Sequence, residues 1–96
     1  MEVKATVKLI GEMKSGISQR TGNAWKCCTI MLEWIDSEGT HHLWGTIFND
    51  SLDGFEQKGI AAGNNVTARL RFTSRPYRTN YVGTDVEIVE INKINQ

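Results

Sequence analysis

A single proline, Pro76, interrupts 96 residues, and the chain carries no net charge. No stretch approaches the roughly 20 apolar residues that would span a bilayer as a helix. The opening Met1-Glu2-Val3-Lys4 has no apolar core of a secretory signal, which argues for a cytoplasmic protein. Cysteine is scarce: Cys27 and Cys28 stand next to each other in an apparent strand. Adjacent strand residues point to opposite faces, so a disulfide between them is geometrically poor. Two thiols without a second pair also make a poor zinc site, and reduced cysteines are expected. A neutral chain does not suit duplex DNA held by electrostatics alone. The length allows one domain, residues 1–96, with no room for a second core. Nine glycines beside one proline suit a strand-rich fold with several turns.

The charge that is present is unevenly spread. Residues 1–56 hold eight acids against five Lys and Arg, and residues 85–96 hold Asp85, Glu87 and Glu90 against Lys93. Between them, residues 57–84 hold Lys58, Arg69, Arg71, Arg75 and Arg78 and no acid. Trp44, Phe48, Tyr77 and Tyr81 surround this run. Rings that stack on bases, interleaved with cations that meet phosphates, are what a single-stranded nucleic acid requires of a protein surface.

Alternation with a period of two recurs along the chain. Val3, Ala5, Val7 and Leu9 alternate with polar residues in a first strand ending near Gly11. Residues 14–24 read as a polar, glycine-bearing loop or hairpin end. A second strand is expected from Trp25 to Ile35, with Cys28, Ile30 and Leu32 on one face and Trp25, Cys27, Thr29, Met31 and Glu33 on the other. Asp36-Ser37-Glu38-Gly39 is a turn. A third strand from Thr40 to Phe48 offers Leu43, Gly45 and Ile47 inward and Trp44, Thr46 and Phe48 outward, with Gly45 making room where the sheet is tight. Asn49-Asp50-Ser51 suggests a helix cap, followed by a short helix with Leu52, Phe55 and Ile60 as its apolar stripe. Gly54 within it costs about 1 kcal/mol relative to alanine. In the fourth strand Val66, Ala68, Leu70 and Phe72 face in and Arg69 and Arg71 face out. Ser74 to Asn80 reads as a loop, where binding residues gather. A last strand from Tyr81 to Ile91 changes phase near Ile88-Val89, which predicts a bulge. This all-β order, with one short helix between the third and fourth strands, predicts a five-stranded Greek-key barrel of the OB type.

Leu43-Trp44-Gly45-Thr46-Ile47-Phe48-Asn49-Asp50, the helix, Gly63-Asn64-Asn65-Val66, Leu70-Arg71-Phe72 and Arg75-Pro76-Tyr77 resemble bacterial single-stranded DNA-binding proteins, including primosomal-protein-like members. Gly22-Asn23-Ala24-Trp25-Lys26 is similar to a small uncharacterised bacterial family of the same topology. The resemblance covers nearly the whole chain in layout, through short motifs. It implies that Phe48 is the stacking aromatic at the end of the third strand. It likewise implies that Tyr77 is the aromatic of the loop after the fourth strand, with Arg75 as its basic neighbour. The chain lacks the family's long acidic carboxyl-terminal tail and is less basic. Those departures favour an accessory role in replication, recombination or repair.

The expected ligand is single-stranded DNA, with RNA as the second choice, bound with little sequence preference by a homodimer or homotetramer. The candidate nucleic-acid-binding residues are Trp25, Lys26, Trp44, Phe48, Arg69, Arg71, Arg75, Tyr77 and Arg78, with Lys8 at the edge. Trp34 shares the parity of Cys28, Ile30 and Leu32 and reads as core or rim. Adjacent His41 and His42 point opposite ways and read as a solvated or rim pair rather than metal ligands. Gly11-x-x-x-x-Gly16 lacks the Lys-Ser/Thr ending of a phosphate loop. No catalytic set can be assembled, so neither enzymatic activity nor a cofactor is expected. The rival reading is a protein-interaction module whose exposed rings contact subunits or partners, since large rings are enriched at interfaces too.

Overall fold

Val3, Ala5 and Val7 bury themselves on one face of β1 (Glu2–Ile10), as their alternation requires. The computed structural model describes residues 1–77 and 81–94, with the side chains of 75–77 and 81–83 outside that description. Alternation in β1 breaks at Lys8. The register against β3 (Ala24–Asp36) jumps between Val7 and Leu9, and Leu9 turns outward, 54% exposed. A bulged residue reverses the facing of everything beyond it.

The polar segment after β1 holds a strand of its own. β2 (Lys14–Ile17) pairs antiparallel with β3 from Lys14 opposite Cys27 to Ile17 opposite Ala24, so the sheet has six strands rather than five. None of its four residues is buried, and without a core-facing residue the sequence gives little sign of a strand. Packing supplies the reason: a Cβ at Gly16 would stand 2.8 Å from Trp25 Cζ2. The indole therefore lies across the glycine, covering it from the neighbouring strand.

β3 and β4 (Gly39–Phe48) form a hairpin paired without interruption from Asp36 opposite Gly39 to Cys27 opposite Phe48. Cys28, Ile30, Leu32 and Ile47 face the core. Helix α1 (Asn49–Gln57) adds Leu52 and Phe55, and Ile60 follows it into the core. The expected cap differs. Phe48 occupies the N-cap position, with no side-chain cap bond, and Asn49 takes a φ of 45°. The residues that could have capped are committed elsewhere. Asn49 Oδ1 accepts the Lys26 N–H at 3.0 Å, and Ser51 Oγ donates to the Val89 carbonyl at 3.1 Å. They tie the helix start to the strands around it.

β5 (Asn65–Tyr77) and β6 (Tyr81–Lys93) pair antiparallel along their lengths. Arg69 faces Glu90 and Leu70 faces Ile88, which leaves Val89 as the extra residue of the expected bulge. Ser74 to Tyr77 belong to β5 rather than to the expected loop. Phe72, expected inside, is 46% exposed. β1 accompanies β5 only from Asn65 to Arg69, and the hairpin continues past the layer that could enclose a ring there.

β1 pairs with β5, β5 with β6, β6 with β4, β4 with β3, and β3 with β1 again. The β6–β4 contact is parallel, at Thr46 and Glu87. The chain is thus mostly β with one short helix, in an arrangement consistent with an OB-like fold. Fully enclosed Ile30, Leu32, Ile47, Leu52, Ile88 and Ile91 each contribute about 1.5–3 kcal/mol by leaving water. No helix among the described residues is long and apolar enough to cross a membrane.

Candidate nucleic-acid interface

Because Cys28, Ile30, Leu32 and Ile47 are inside, the intervening residues of β3 and β4 form the outer face of that hairpin. On it, Cys27 pairs with Phe48, Thr29 with Thr46, and Met31 with Trp44. Trp44 is 48% exposed and Phe48 39%, the outward placement that strand parity predicts. Trp25 lies two residues beyond Cys27 on the same face of β3 and is 38% exposed. Leu9 pairs with Met31 from the β1 side, so an apolar row Leu9–Met31–Trp44 crosses three strands.

Trp44, Thr46 and Phe48 line a cavity of about 450 Å³, closed on the other side by Thr73 of β5 and by Asp85 and Glu87 of β6. Trp25 and Lys26 belong to a second cavity, about 530 Å³, between β2 and the start of α1, where Ile17, Asp50 and Asp53 join them. Trp25 and Lys26 thus line a different cavity from Trp44 and Phe48, and Arg69 and Arg71 line neither.

The cations are placed differently from what their sequence neighbours suggest. Arg69 and Arg71 have no acid near them along the chain, yet antiparallel pairing sets Glu90 and Glu87 opposite them. Arg69 Nη2 lies 3.5 Å from Glu90 Oε2, and Arg71 Nη2 donates to Glu87 Oε1 at 2.5 Å. Lys26 pairs with Asp53, whose hydrogen bond holds the ammonium pKa above its ordinary value. Lys8 lies 3.6 Å from Glu33. Exposed pairs of this kind are screened by solvent and weak enough for a phosphate to displace. The β5 backbone carries Arg75 and Tyr77 toward the end of the β5–β6 hairpin, while their side chains and Arg78 lie outside the described residues.

His41 and His42 sit at the far end of β4. His41 Nε2 is 2.8 Å from Asp36 Oδ1 and its ring stacks on Trp34, with centroids 5.4 Å apart, while His42 Nε2 is 2.8 Å from Glu33 Oε2. Trp34 packs partly buried against the core. Cys28 is buried and Cys27 half-buried, both free thiols. Burial pushes the Cys28 thiol pKa up, and its Sγ lies 3.2 Å from the Gly11 carbonyl. Among the described residues no group of three His, Cys, Asp or Glu could hold a metal ion.

Sequence reasoning gave no role to Thr46, Thr73, Asp53, Asp85 or Glu87, all of which line the two cavities. The only sequence signal for Glu87 was its alternation with inward Val86 and Ile88.

No protein-family model matches the chain. No curated protein sequence matches it. Among solved structures, the chain is similar to a Plasmodium falciparum SSB in complex with ssDNA, at 13% identity and a TM-score of 0.48. The match covers 99% of this chain and 93% of that one.

Proposed function

We propose that the chain is a single five-stranded OB-type barrel, flanked by the short β2, that binds single-stranded DNA across the outer face of β3 and β4. The observation that carries this is the pair Trp44 and Phe48, exposed together on one face and bounding one cavity. Bases stacking on Phe48, Trp44, Trp25 and Tyr77 would gain about 1–3 kcal/mol each. Arg75 and Arg78 would meet phosphates. Lys26 and Arg69 do so by exchanging their carboxylate partners for phosphate, and Arg71 stands beside them on Glu87. Little free positive charge implies modest affinity per subunit, and a dimer or tetramer presenting several faces to one strand compensates. The role that fits is accessory: replication, recombination or repair in a bacterial cytoplasm, without catalysis or cofactor.

A protein-interaction module is the second reading, favoured by the apolar row Leu9–Met31–Trp44 and by the carboxylate partners of Lys26, Arg69 and Arg71. Intrinsic tryptophan fluorescence during titration with a dT oligomer, at low and high salt, separates the two. Saturable quenching that weakens with salt is expected for strand binding. Phe48→Ala should then weaken it about tenfold, with unchanged thermal unfolding. A flat trace at low salt would leave the interaction module, and an undiminished Phe48→Ala would overturn the stacking role of that ring.

A further inference from the structure

The cavity between Trp44 and Phe48 has an unexpected lining for a site that meets a polyanion. Among the described residues its charged lining is Asp85 and Glu87, and its other polar lining is the threonines of β4, β5 and β6. The Glu87 side chain is only 28% exposed, and Arg71 grips its Oε1 from the far side. A carboxylate offers about four lone-pair positions, so the Arg71 bond positions the group while acceptor capacity remains. Thr46, directly across the parallel β6–β4 contact, brings the same carboxylate next to the strand that carries both rings.

Carboxylate oxygens in such a lining attract N–H donors. A base lying between the rings presents an edge to the β6 wall, and the edges differ. Guanine offers N1–H and the N2 amino group side by side, which matches the two acceptor oxygens of a carboxylate. Cytosine and adenine offer one amino group each. Thymine offers a single N–H flanked by two carbonyl oxygens, which face the carboxylate unfavourably. Acidic side chains accepting from base amino groups are an established mode of base readout.

We infer that the Trp44–Phe48 cavity is a base-selective subsite in which Glu87, held by Arg71, accepts hydrogen bonds from a guanine edge and discriminates against thymine. The inference rests on the strand-binding reading above and adds a preference at one nucleotide position, while stacking elsewhere stays tolerant.

The test is a fluorescence titration of the full chain and its Glu87→Gln variant with two oligomers, all-dT and the same oligomer with one central dG. Thermal unfolding checks that the variant is folded, and Glu87→Ala provides a second comparison. The parent should favour the dG oligomer about tenfold, and the ratio should fall to about one in both variants. Releasing Arg71 should at the same time raise affinity for all-dT, so the ratio of the two affinities, rather than either affinity alone, reports on the subsite. Equal binding of the two oligomers by the parent, or a preference that survives both variants, would overturn the subsite and leave strand binding intact. Absence of binding to either oligomer overturns both.

Discussion

His41 Nε2 donates to the Asp36 carboxylate at 2.8 Å while its ring lies on Trp34. That contact, more than the backbone N–H of Glu38, holds the Asp36 carboxyl below the ordinary aspartate range. A depressed carboxyl stabilises the fold at pH values above its unfolded value of about 3.9, and the contribution fades as pH falls through the folded value. His41→Ala should therefore move the Asp36 titration midpoint upward, toward an ordinary aspartate. Carbon-detected NMR of the Asp36 carboxyl reads this directly, and an unmoved midpoint would assign the depression to the turn backbone instead. The sequence placed both histidines correctly on opposite faces. It did not reveal their carboxylate partners, because the β3–β4 register that sets Glu33 opposite His42 is a pairing property.

At the scale of elements, β4 and β6 approach closely at Gly45. A Cβ at Gly45 would stand 2.7 Å from Ile88 Cγ1 and 2.9 Å from its Cδ1. Both are atoms of a fully buried side chain with nowhere to withdraw. Gly45→Ala should cost about 1–3 kcal/mol, the usual range for overpacking, measured as a lower denaturation midpoint. Stability equal to the parent would mean that β6 can shift outward and that the join is looser than the distances imply. The alternation of β3, β4 and the first half of β5 was legible in the sequence, since each buries every second residue against one core. Leu9 and Phe72 were not. Leu9 follows a bulge, and Phe72 lies past the last residue that β1 covers; in both, the period stays correct while the environment changes.

For the whole molecule, a zero net charge conceals a surface on which cations and carboxylates are interleaved by strand pairing. Arg69 against Glu90 is the clearest instance outside the two cavities. Glu90→Gln leaves Arg69 without its partner, and single-strand affinity should rise with a salt dependence steeper by about 0.7 in log–log slope, one additional phosphate contact. Titrations with a dT oligomer across a salt series measure it. An unchanged slope would mean that Arg69 points away from the strand's path. The sequence by itself determined the alternating strands, the short helix and the outward rings of β4, because each follows from local periodicity and side-chain chemistry. Only the tertiary structure decided that Arg69 and Arg71 of the acid-free segment are paired cations. Pairing β5 with β6 brings Glu87 and Glu90, far off in sequence, within reach of Arg71 and Arg69. Charge neighbours in a sheet are set by register, and register belongs to the folded chain.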